Sequence, residues 1–246
     1  MTTADSLAPP RGSGRRSRAS LPVAATAVVS ALTALFIVPV YLTLDPDLSR
    51  IELRPDSALH FPLVVVHAAT GGVALLTGPF QLSRRLRRRR SRHRWIGRVY
   101  LFAGVLPSAL TGIGAALLTT SGPVSVLAFL LLDVLWLATA LAAYRAARTG
   151  RYAEHREWML RNFSLTFAAV TLRLWLGLLV ALQLPWLDSF YGGDFDRLFD
   201  TAYSLSHWLA WVPNLLLTEV YLARRAAREA RRALAGAQQA AVGAHE

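Results

Sequence analysis

The sequence predicts an all-α polytopic membrane protein, folded as an antiparallel bundle of about six transmembrane helices. Three observations support this fold class: 54% of the residues are hydrophobic, they concentrate in six long blocks, and the loops between the blocks alternate between arginine-rich and acidic. A block of roughly 20 apolar residues is long enough to cross the hydrocarbon core of a bilayer as a helix. The blocks lack the alternation of polar and apolar residues that is typical of strands.

The order of the blocks predicts the organisation of the chain. The predicted spans are 21–43, 58–82, 96–119, 123–146, 157–183 and 200–222. We expect a disordered cytoplasmic tail over 1–19, a transmembrane domain over 20–225 and a basic cytoplasmic tail over 226–246. Residues 226–246 are also expected to be disordered or frayed, although residues 223–234 could instead extend the last helix onto the membrane surface. The first block is too long for the apolar region of a signal peptide, and Pro107 predicts a kink in the third span.

The distribution of charge predicts the orientation. The net charge is +12, and every strongly basic residue is an arginine. Arginines occupy both tails and the loops after the second and fourth spans, whereas the charged loops on the other side are net acidic. This positive-inside pattern predicts a multi-pass protein of the cytoplasmic membrane with both termini in the cytoplasm. The densest run, SRRLRRRRSRHR (83–94), is then explained by topology; we expect it to meet anionic lipid headgroups and not nucleic acid.

Composition and motifs exclude several chemistries. The chain has no cysteine, which excludes disulfides, cysteine-ligated zinc, iron–sulfur clusters and thiol nucleophiles. It also lacks the short motifs of phosphate-binding loops, HExxH metalloproteases, GxSxG hydrolases and dinucleotide-binding folds. Candidate functional residues are therefore the polar side chains inside the spans, because such residues are costly at membrane depth and mark sites or pairs.

An outer layer of polar residues is predicted near the acidic side of the membrane. His67 on the second span, Arg173 on the fifth and His207 on the sixth lie about 10–14 Å deep at 1.5 Å per residue. Two histidines at equal depth on different helices can ligate one haem iron, and a nearby arginine can compensate a propionate. The sequence therefore predicts a haem b site with His67 and His207 as iron ligands and Arg173 beside them.

An inner layer is predicted near the arginine-rich side. His93 and His155 could hold a second haem there, although the expectation for this pair is weaker because both lie at or just outside helix ends. The other predicted members of the polar core are Gln81, Arg94, Arg98, Asp133, Arg161, Asn162, Asn214 and Glu219.

Two other functions fit the same residues. Arg173, Asp133 and Glu219 could line the pathway of a transporter or a proton channel. Alternatively, the polar residues could only fix helix packing in a structural or accessory subunit, with Arg173 paired to Asp133. An electron-transfer role would require a redox partner. The residues alone do not choose among these functions, and they identify neither a substrate nor an oligomeric state.

Four runs of residues carry a family resemblance: HAATGGVALLTGPFQ (67–81), HRWIGRVY (93–100), HREWMLRNFSLTFAAVTLR (155–173) and WVPNLLLTE (211–219). Together they resemble the bacterial integral-membrane family called domain of unknown function 2306, over about residues 58–222. The resemblance implies a protein of the cytoplasmic membrane and no particular activity. The motif residues that it implies as a functional or architectural core are His67, Gln81, His93, Arg94, Gly97, Arg98, His155, Trp158, Met159, Arg161, Arg173, Trp211, Asn214 and Glu219.

The layout is also loosely similar to that of the transmembrane di-haem cytochromes b that oxidise ascorbate. Those proteins place all of their haem ligands within helices, whereas His93 and His155 here lie at or beyond helix ends. This similarity concerns architecture alone, which is a weak basis for assigning a function.

Overall fold

The chain forms a helical bundle, as the sequence predicts. The computed structural model describes residues 21–243, which are mostly helical and contain no strand; the predicted tail 1–19 lies outside this range. The α-helices are α1 (Leu21–Leu42), α2 (His60–Leu82), α3 (Arg84–Arg88), α4 (Arg90–Arg98), α5 (Leu106–Leu118), α6 (Gly122–Arg148), α7 (Tyr152–Thr166), α8 (Ala168–Gln183), α9 (Leu187–Tyr191), α10 (Phe195–Leu209) and α11 (Val212–Gly243). A π-helix spans Val99–Val105, and 3₁₀ turns span Pro46–Leu48 and Leu184–Trp186.

Five helical stretches are long and apolar enough to cross a membrane, and they correspond to the first five predicted spans. They are Val23–Leu42, His60–Leu82, Arg90–Leu118, Gly122–Arg148 and Tyr152–Tyr191. The predicted sixth span, 200–222, is divided between α10 and α11, so neither helix alone forms one continuous apolar span. Pro213 explains the division, because a proline there cannot donate a backbone hydrogen bond to the carbonyl of Leu209. The all-α polytopic fold class is confirmed.

The third span differs from the prediction at its start. The arginine run is not an open loop: it forms α3 and α4, and α4 continues through the π-helix into α5. The span therefore begins at Arg90 and not at residue 96. The irregularity expected at Pro107 takes the form of the π-helix immediately before it. Proline removes a backbone donor from the last turn, and a wider turn accommodates that loss.

The residues after the last predicted span remain helical. Helix α11 continues to Gly243, and the residues of 226–239 are exposed. Over residues 226–243 the chain is therefore an extension of the last helix and not a disordered tail.

The two ends of the bundle differ in charge. The arginine-rich end carries α3, α4, the turn between α6 and α7, and the exposed part of α11. The opposite end carries the connections 43–59, 119–121 and 184–194. Helix α2 lies at the centre, where it packs on α1, the π-helix and α5, while α6 packs on α5 and α7. Polar residues on these central helices are therefore enclosed by protein.

The break between α7 and α8 lies beside the break between α10 and α11, and side-chain hydrogen bonds join the two. The carbonyl of Ala210, between α10 and α11, accepts hydrogen bonds from Thr171 Oγ1 at 2.5 Å and from Asn214 Nδ2 at 2.8 Å. Asn214 Nδ2 also lies 3.2 Å from the carbonyl of Ser164 and 3.0 Å from Thr171 Oγ1. Asn214, one of the predicted polar residues, thus supplies hydrogen bonds at the helix break.

Candidate functional site

Polar groups follow one face of α6 through the centre of the bundle. Asp133, Trp136 and Thr139 are buried there, and the carbonyl of Ala143 continues the same face one turn further on. Residues three or four apart lie on the same side of a helix, so these groups form a column along α6. We call this set the α6 column.

At the end of the α6 column farther from the arginine-rich end of the bundle, Asp133 lies beside His67. Asp133 is 4% exposed, and its carboxylate has no hydrogen bond or ion pair to any residue of 21–243. His67 Nδ1 lies 2.9 Å from the carbonyl of Ser108, so Nδ1 carries the proton and Nε2 is left free. A Cβ at Gly112 would lie 2.5 Å from Asp133 Oδ2 and 2.7 Å from His67 Nδ1. The two side chains therefore meet over the bare backbone of that glycine.

The middle of the α6 column is a closed hydrogen-bond network centred on Asn162. Tyr100 donates its hydroxyl proton to Asn162 Oδ1 at 2.5 Å, and its oxygen lies 2.7 Å from Thr166 Oγ1. Asn162 Nδ2 donates to the carbonyl of Trp136 at 2.7 Å and to Thr139 Oγ1 at 2.9 Å. Trp136 Nε1 donates to Thr166 Oγ1 at 2.9 Å. The network joins α6, α7 and the π-helix, and its side-chain polar groups are satisfied.

The third part of the column lies toward the arginine-rich end. His155 Nδ1 lies 2.8 Å from the carbonyl of Ala143, so it donates and leaves Nε2 free. His93 lies close enough to His155 to interact with it electrostatically, and its own Nδ1 is buried without a partner. The structure thus brings together the two histidines that the sequence assigned to the inner layer.

A bidentate ion pair connects α7 to α11 near these histidines. Arg161 Nε and Nη2 donate to the two carboxylate oxygens of Glu219 at 2.6 and 2.9 Å, and the guanidinium carbon lies 4.7 Å from the centroid of the Trp158 ring. The Glu219 side chain is 44% exposed. Glu219, which the sequence placed among possible pathway residues, is thus held by Arg161 at the rim.

We expect Glu219→Gln to have a small effect on stability. Partly exposed ion pairs contribute at most about 1 kcal/mol, because water screens the charges. Thermal unfolding of the purified protein in detergent would measure the change. Glu229→Gln, which breaks the exposed pair with Arg225, is the matched control. A loss much larger for Glu219→Gln than for Glu229→Gln would show that Glu219 does more than fill a surface pair.

Arg173 and Asp133 do not form the predicted structural ion pair. Arg173 Nη1 donates to the carbonyl of Ala169 on its own helix at 2.8 Å, and no ion pair between described residues includes either side chain. His67 lies within electrostatic range of Arg173 and also lies beside Asp133.

His207, the other iron ligand predicted for the outer layer, lies between aromatic rings. Its ring packs against Phe129 and Tyr203, with both centroids 4.2 Å away, and the ring is 1% exposed. Both ring nitrogens are buried, and neither has a hydrogen-bond partner among the described residues. The structure shows no hydrogen bond between His207 and His67 or Asp133.

This packing does not fit an outer haem held by His67 and His207. A porphyrin face needs open space at the ligating nitrogen, and both nitrogens of His207 are enclosed by protein. The glycines on the His67 face of α2 leave no slot either: a Cβ at Gly71 would lie 3.0 Å from Ser108 Oγ, and one at Gly78, further along the helix, would lie 2.7 Å from the Phe163 ring. In the range 21–243, no three His, Asp or Glu side chains are grouped so that they could hold a metal ion.

The remaining predicted residues lie around the arginine-rich end. Gln81 is buried against Gly97, where a Cβ would lie 3.3 Å from Gln81 Oε1. Arg94 and Arg98, predicted as members of the polar core, are instead exposed. Met159 packs against the main hydrophobic core.

Several residues of the site were missing from the predicted set: Tyr100, Trp136, Thr139, Thr166 and Ser108. A usable signal existed for Tyr100, because it ends the HRWIGRVY run and a tyrosine inside a span needs a hydrogen-bond partner. Ser108 could not have been chosen in this way, because its role depends on the carbonyl that it presents to His67.

Comparison with known proteins gives a family and no further relative. No curated protein and no solved structure shows significant similarity to the chain. One family model, described as "Predicted membrane protein (DUF2306)", matches residues 64–222. The matched region contains the whole α6 column, both inner-layer histidines and the Arg161–Glu219 pair. The chain belongs to this family of predicted membrane proteins.

Proposed function

We propose that the chain is a proton-translocating membrane protein and that the α6 column is its pathway. The observation that carries this proposal is the carboxylate of Asp133, which is buried within a membrane span, has no hydrogen-bond or ion-pair partner among residues 21–243 and lies beside His67. An ionisable group in such a position has a functional role by default, because a purely structural carboxylate would be paired. Aspartate and histidine side chains are common members of proton relays in pumps and transporters.

The groups along the α6 column are of the kinds that pass protons. Titratable residues lie at both ends, with Asp133 and His67 at one and His155 and His93 at the other. Asp133 and Ala143 are ten residues apart on one helix, so the column covers about 15 Å. Between them lie hydroxyl groups in direct hydrogen bonds, including Tyr100 to Thr166 at 2.7 Å. The free Nε2 atoms of His67 and His155 are the positions at which protons would be exchanged.

We infer the orientation from charge. The arginine-rich end faces the cytoplasm of a bacterial cell, and the chain lies in the cytoplasmic membrane. Exposed arginines of α4 then lie at the level of anionic headgroups. The acidic connections face the other side, so protons enter or leave the pathway near His67 and Asp133 at that side.

Proton flux into proteoliposomes tests the proposal. A potassium gradient with valinomycin drives the flux, and the dye pyranine trapped inside reports the internal pH. We expect Asp133→Asn to lower the rate about tenfold or more, because a positioned titratable group speeds proton transfer by about 10²–10⁴-fold. Asp200→Asn, which changes an exposed acid at the start of α10, is the matched control. A wild-type flux equal to that of empty liposomes, or an unchanged flux in Asp133→Asn, would overturn the proposal.

A second variant tests the geometry without changing any titratable group. In Gly112→Ala the new methyl group would overlap both Asp133 and His67, so the two side chains must separate. We expect a reduced flux in folded protein. The matched control is Gly114→Ala on the same helix, where the Cβ would meet only the flexible side chain of Leu63, at 3.0 Å. Equal fluxes in these two variants would contradict the assigned pathway.

Haem binding at the inner pair is a second candidate, and one observation favours it. Axial histidines usually donate Nδ1 to a carbonyl and present Nε2 to the metal, and His155 is held in this way with His93 nearby. Haem b would supply one-electron redox chemistry. A visible absorption spectrum of the protein expressed with ample haem tests this candidate. A Soret band that is lost in both His93→Ala and His155→Ala would support it. The absence of a Soret band in the wild-type protein would refute it.

A further inference from the structure

We infer that the opposite end of the bundle holds a binding site for an amphiphilic anion, with Arg173 as the residue that binds its head. The site, which we call the Arg173 cleft, is formed by Arg173, Tyr41, Tyr203, His67 and Arg50. Its ligand would carry a carboxylate or phosphate group on an apolar chain. The inference goes beyond the proton pathway and does not depend on it.

Arg173 is a cation without a counter-charge among the described residues. It lies within the fifth membrane span, is exposed, and has one side-chain hydrogen bond, to a carbonyl of its own helix. No carboxylate of the described chain is within ion-pair distance of it. A charged side chain at membrane depth is costly unless a partner or a water-filled cavity receives it. An anionic ligand would supply the missing charge.

Two tyrosine hydroxyls near Arg173 can donate hydrogen bonds to a bound anion. Tyr41 of α1, Tyr203 of α10 and His67 of α2 all lie within electrostatic range of the Arg173 guanidinium. Neither phenol hydroxyl donates a hydrogen bond to any residue of the described chain. A guanidinium with free hydroxyl donors beside it matches the oxygen atoms of a carboxylate or phosphate. The cleft therefore selects an anion and disfavours a cation.

A groove next to the cleft accounts for the apolar part of the ligand. The groove has a volume of about 410 Å³ and is lined by Pro39, Val40, Thr43, Leu48 and Arg50. The Arg50 guanidinium carbon lies 3.9 Å from the centroid of Phe36, and Arg50 is also in electrostatic range of Arg173. A mostly apolar groove that has Arg50 in its lining, with Arg173 within electrostatic range of Arg50, fits an amphiphile better than a small inorganic anion.

The cleft is open at the surface of the bundle, because the Arg173 side chain is exposed. Helix α1 packs mainly along α2 and meets α8, which carries Arg173, in the apolar cluster of Ala34 and Val170. Apolar side chains of α1 such as Phe36, 58% exposed, face outward. An amphiphile could therefore leave its chain among lipids or in the groove while its head reaches Arg173.

Thermal unfolding in nanodiscs of phosphatidylcholine tests the inference. Tryptophan fluorescence would report the unfolding midpoint as dodecanoate is added, with dodecanol as a tail-only probe and acetate as a head-only probe. We expect dodecanoate alone to raise the midpoint. Arg173→Gln should need roughly tenfold more dodecanoate for the same shift, because hydrogen bonds to a charged group are lost. Arg148→Gln, an exposed arginine at the other end, should behave like wild type.

Two further measurements identify the source of the anion and keep the test valid if Arg173→Gln does not fold. A midpoint raised by phosphatidylglycerol in the nanodisc, and not in Arg173→Gln, would assign a lipid headgroup; a response to dodecanoate only would assign a free acid. Arg50→Gln, on an exposed connection, should weaken the response even if Arg173→Gln does not fold. Any of three results would overturn the inference. Dodecanoate and dodecanol could shift the unfolding midpoint equally, or neither dodecanoate nor phosphatidylglycerol could shift it. The third result is a shift as large as that of wild type in the folded Arg173→Gln and Arg50→Gln variants.

Discussion

Gly104→Ala is expected to prevent folding or to lower the unfolding midpoint severely. A Cβ at this position would lie 2.9 Å from the backbone nitrogen of Ala74 and 3.0 Å from its Cα, at the contact between the π-helix and α2. Both obstacles are backbone atoms of a central helix, so neither can rotate away. Overpacking usually costs about 1–3 kcal/mol, and we expect the upper end or more here. Size-exclusion chromatography and thermal unfolding in detergent measure the effect.

The matched control is Gly177→Ala on α8. Nothing lies within 4 Å of a Cβ at Gly177, so the change adds a methyl group in open space. Alanine favours a helix over glycine by up to about 1 kcal/mol, and we expect the variant to be as stable as wild type or slightly more so. A Gly104→Ala protein as stable as Gly177→Ala would show that α2 and the π-helix are not in the close contact described above.

Asn162→Ala should give the second largest loss of stability. Asn162 is fully buried, and its amide makes hydrogen bonds to Tyr100, to Thr139 and to the carbonyl of Trp136. Hydrogen bonds between transmembrane helices average about 0.6 kcal/mol each, so the loss should be about 2 kcal/mol. Reversible unfolding in mixed micelles would measure the free energy of unfolding.

A double-mutant cycle separates the network from simple loss of volume. Tyr100→Phe removes one hydroxyl and keeps the ring, and the pair Tyr100→Phe with Asn162→Ala should lose less than the two single changes together. Gln238→Ala, on the exposed part of α11, should have no measurable effect. Full additivity in the cycle would mean that the 2.5 Å contact between Tyr100 and Asn162 contributes nothing to stability.

The fold class was predictable because it depends on local properties of the chain. A span is recognised by the length of its apolar block, and an end of the bundle by its arginines, without knowledge of any contact. The sixth span was predicted as continuous because an apolar block looks the same whether or not the helix within it is interrupted. Pro213 marked the place where the backbone loses a hydrogen-bond donor. The hydrogen bonds that Thr171 and Asn214 donate to the Ala210 carbonyl could not be predicted, because they depend on α8 lying beside the helix break.

The candidate site was predictable only in part. Chain position and the 1.5 Å rise per residue gave the depth of the inner pair, and His93 and His155 lie within electrostatic range of each other. Depth alone did not predict the surroundings of the outer histidines, because it does not specify which side chains are neighbours. The rings of Phe129 and Tyr203 pack beside His207, and Asp133 lies beside His67.

The sequence by itself thus determined that this chain is a helical membrane protein, where most of its spans run, which end is basic and some of the polar residues that lie inside. The tertiary structure decided which of those residues meet. Helix order depends on close contacts such as Gly104 with Ala74 and Gly112 with Asp133 and His67, where the shape of both partners matters. Residues far apart in the chain are brought together by this packing. It therefore took the tertiary structure to reveal the α6 column and the Arg173 cleft.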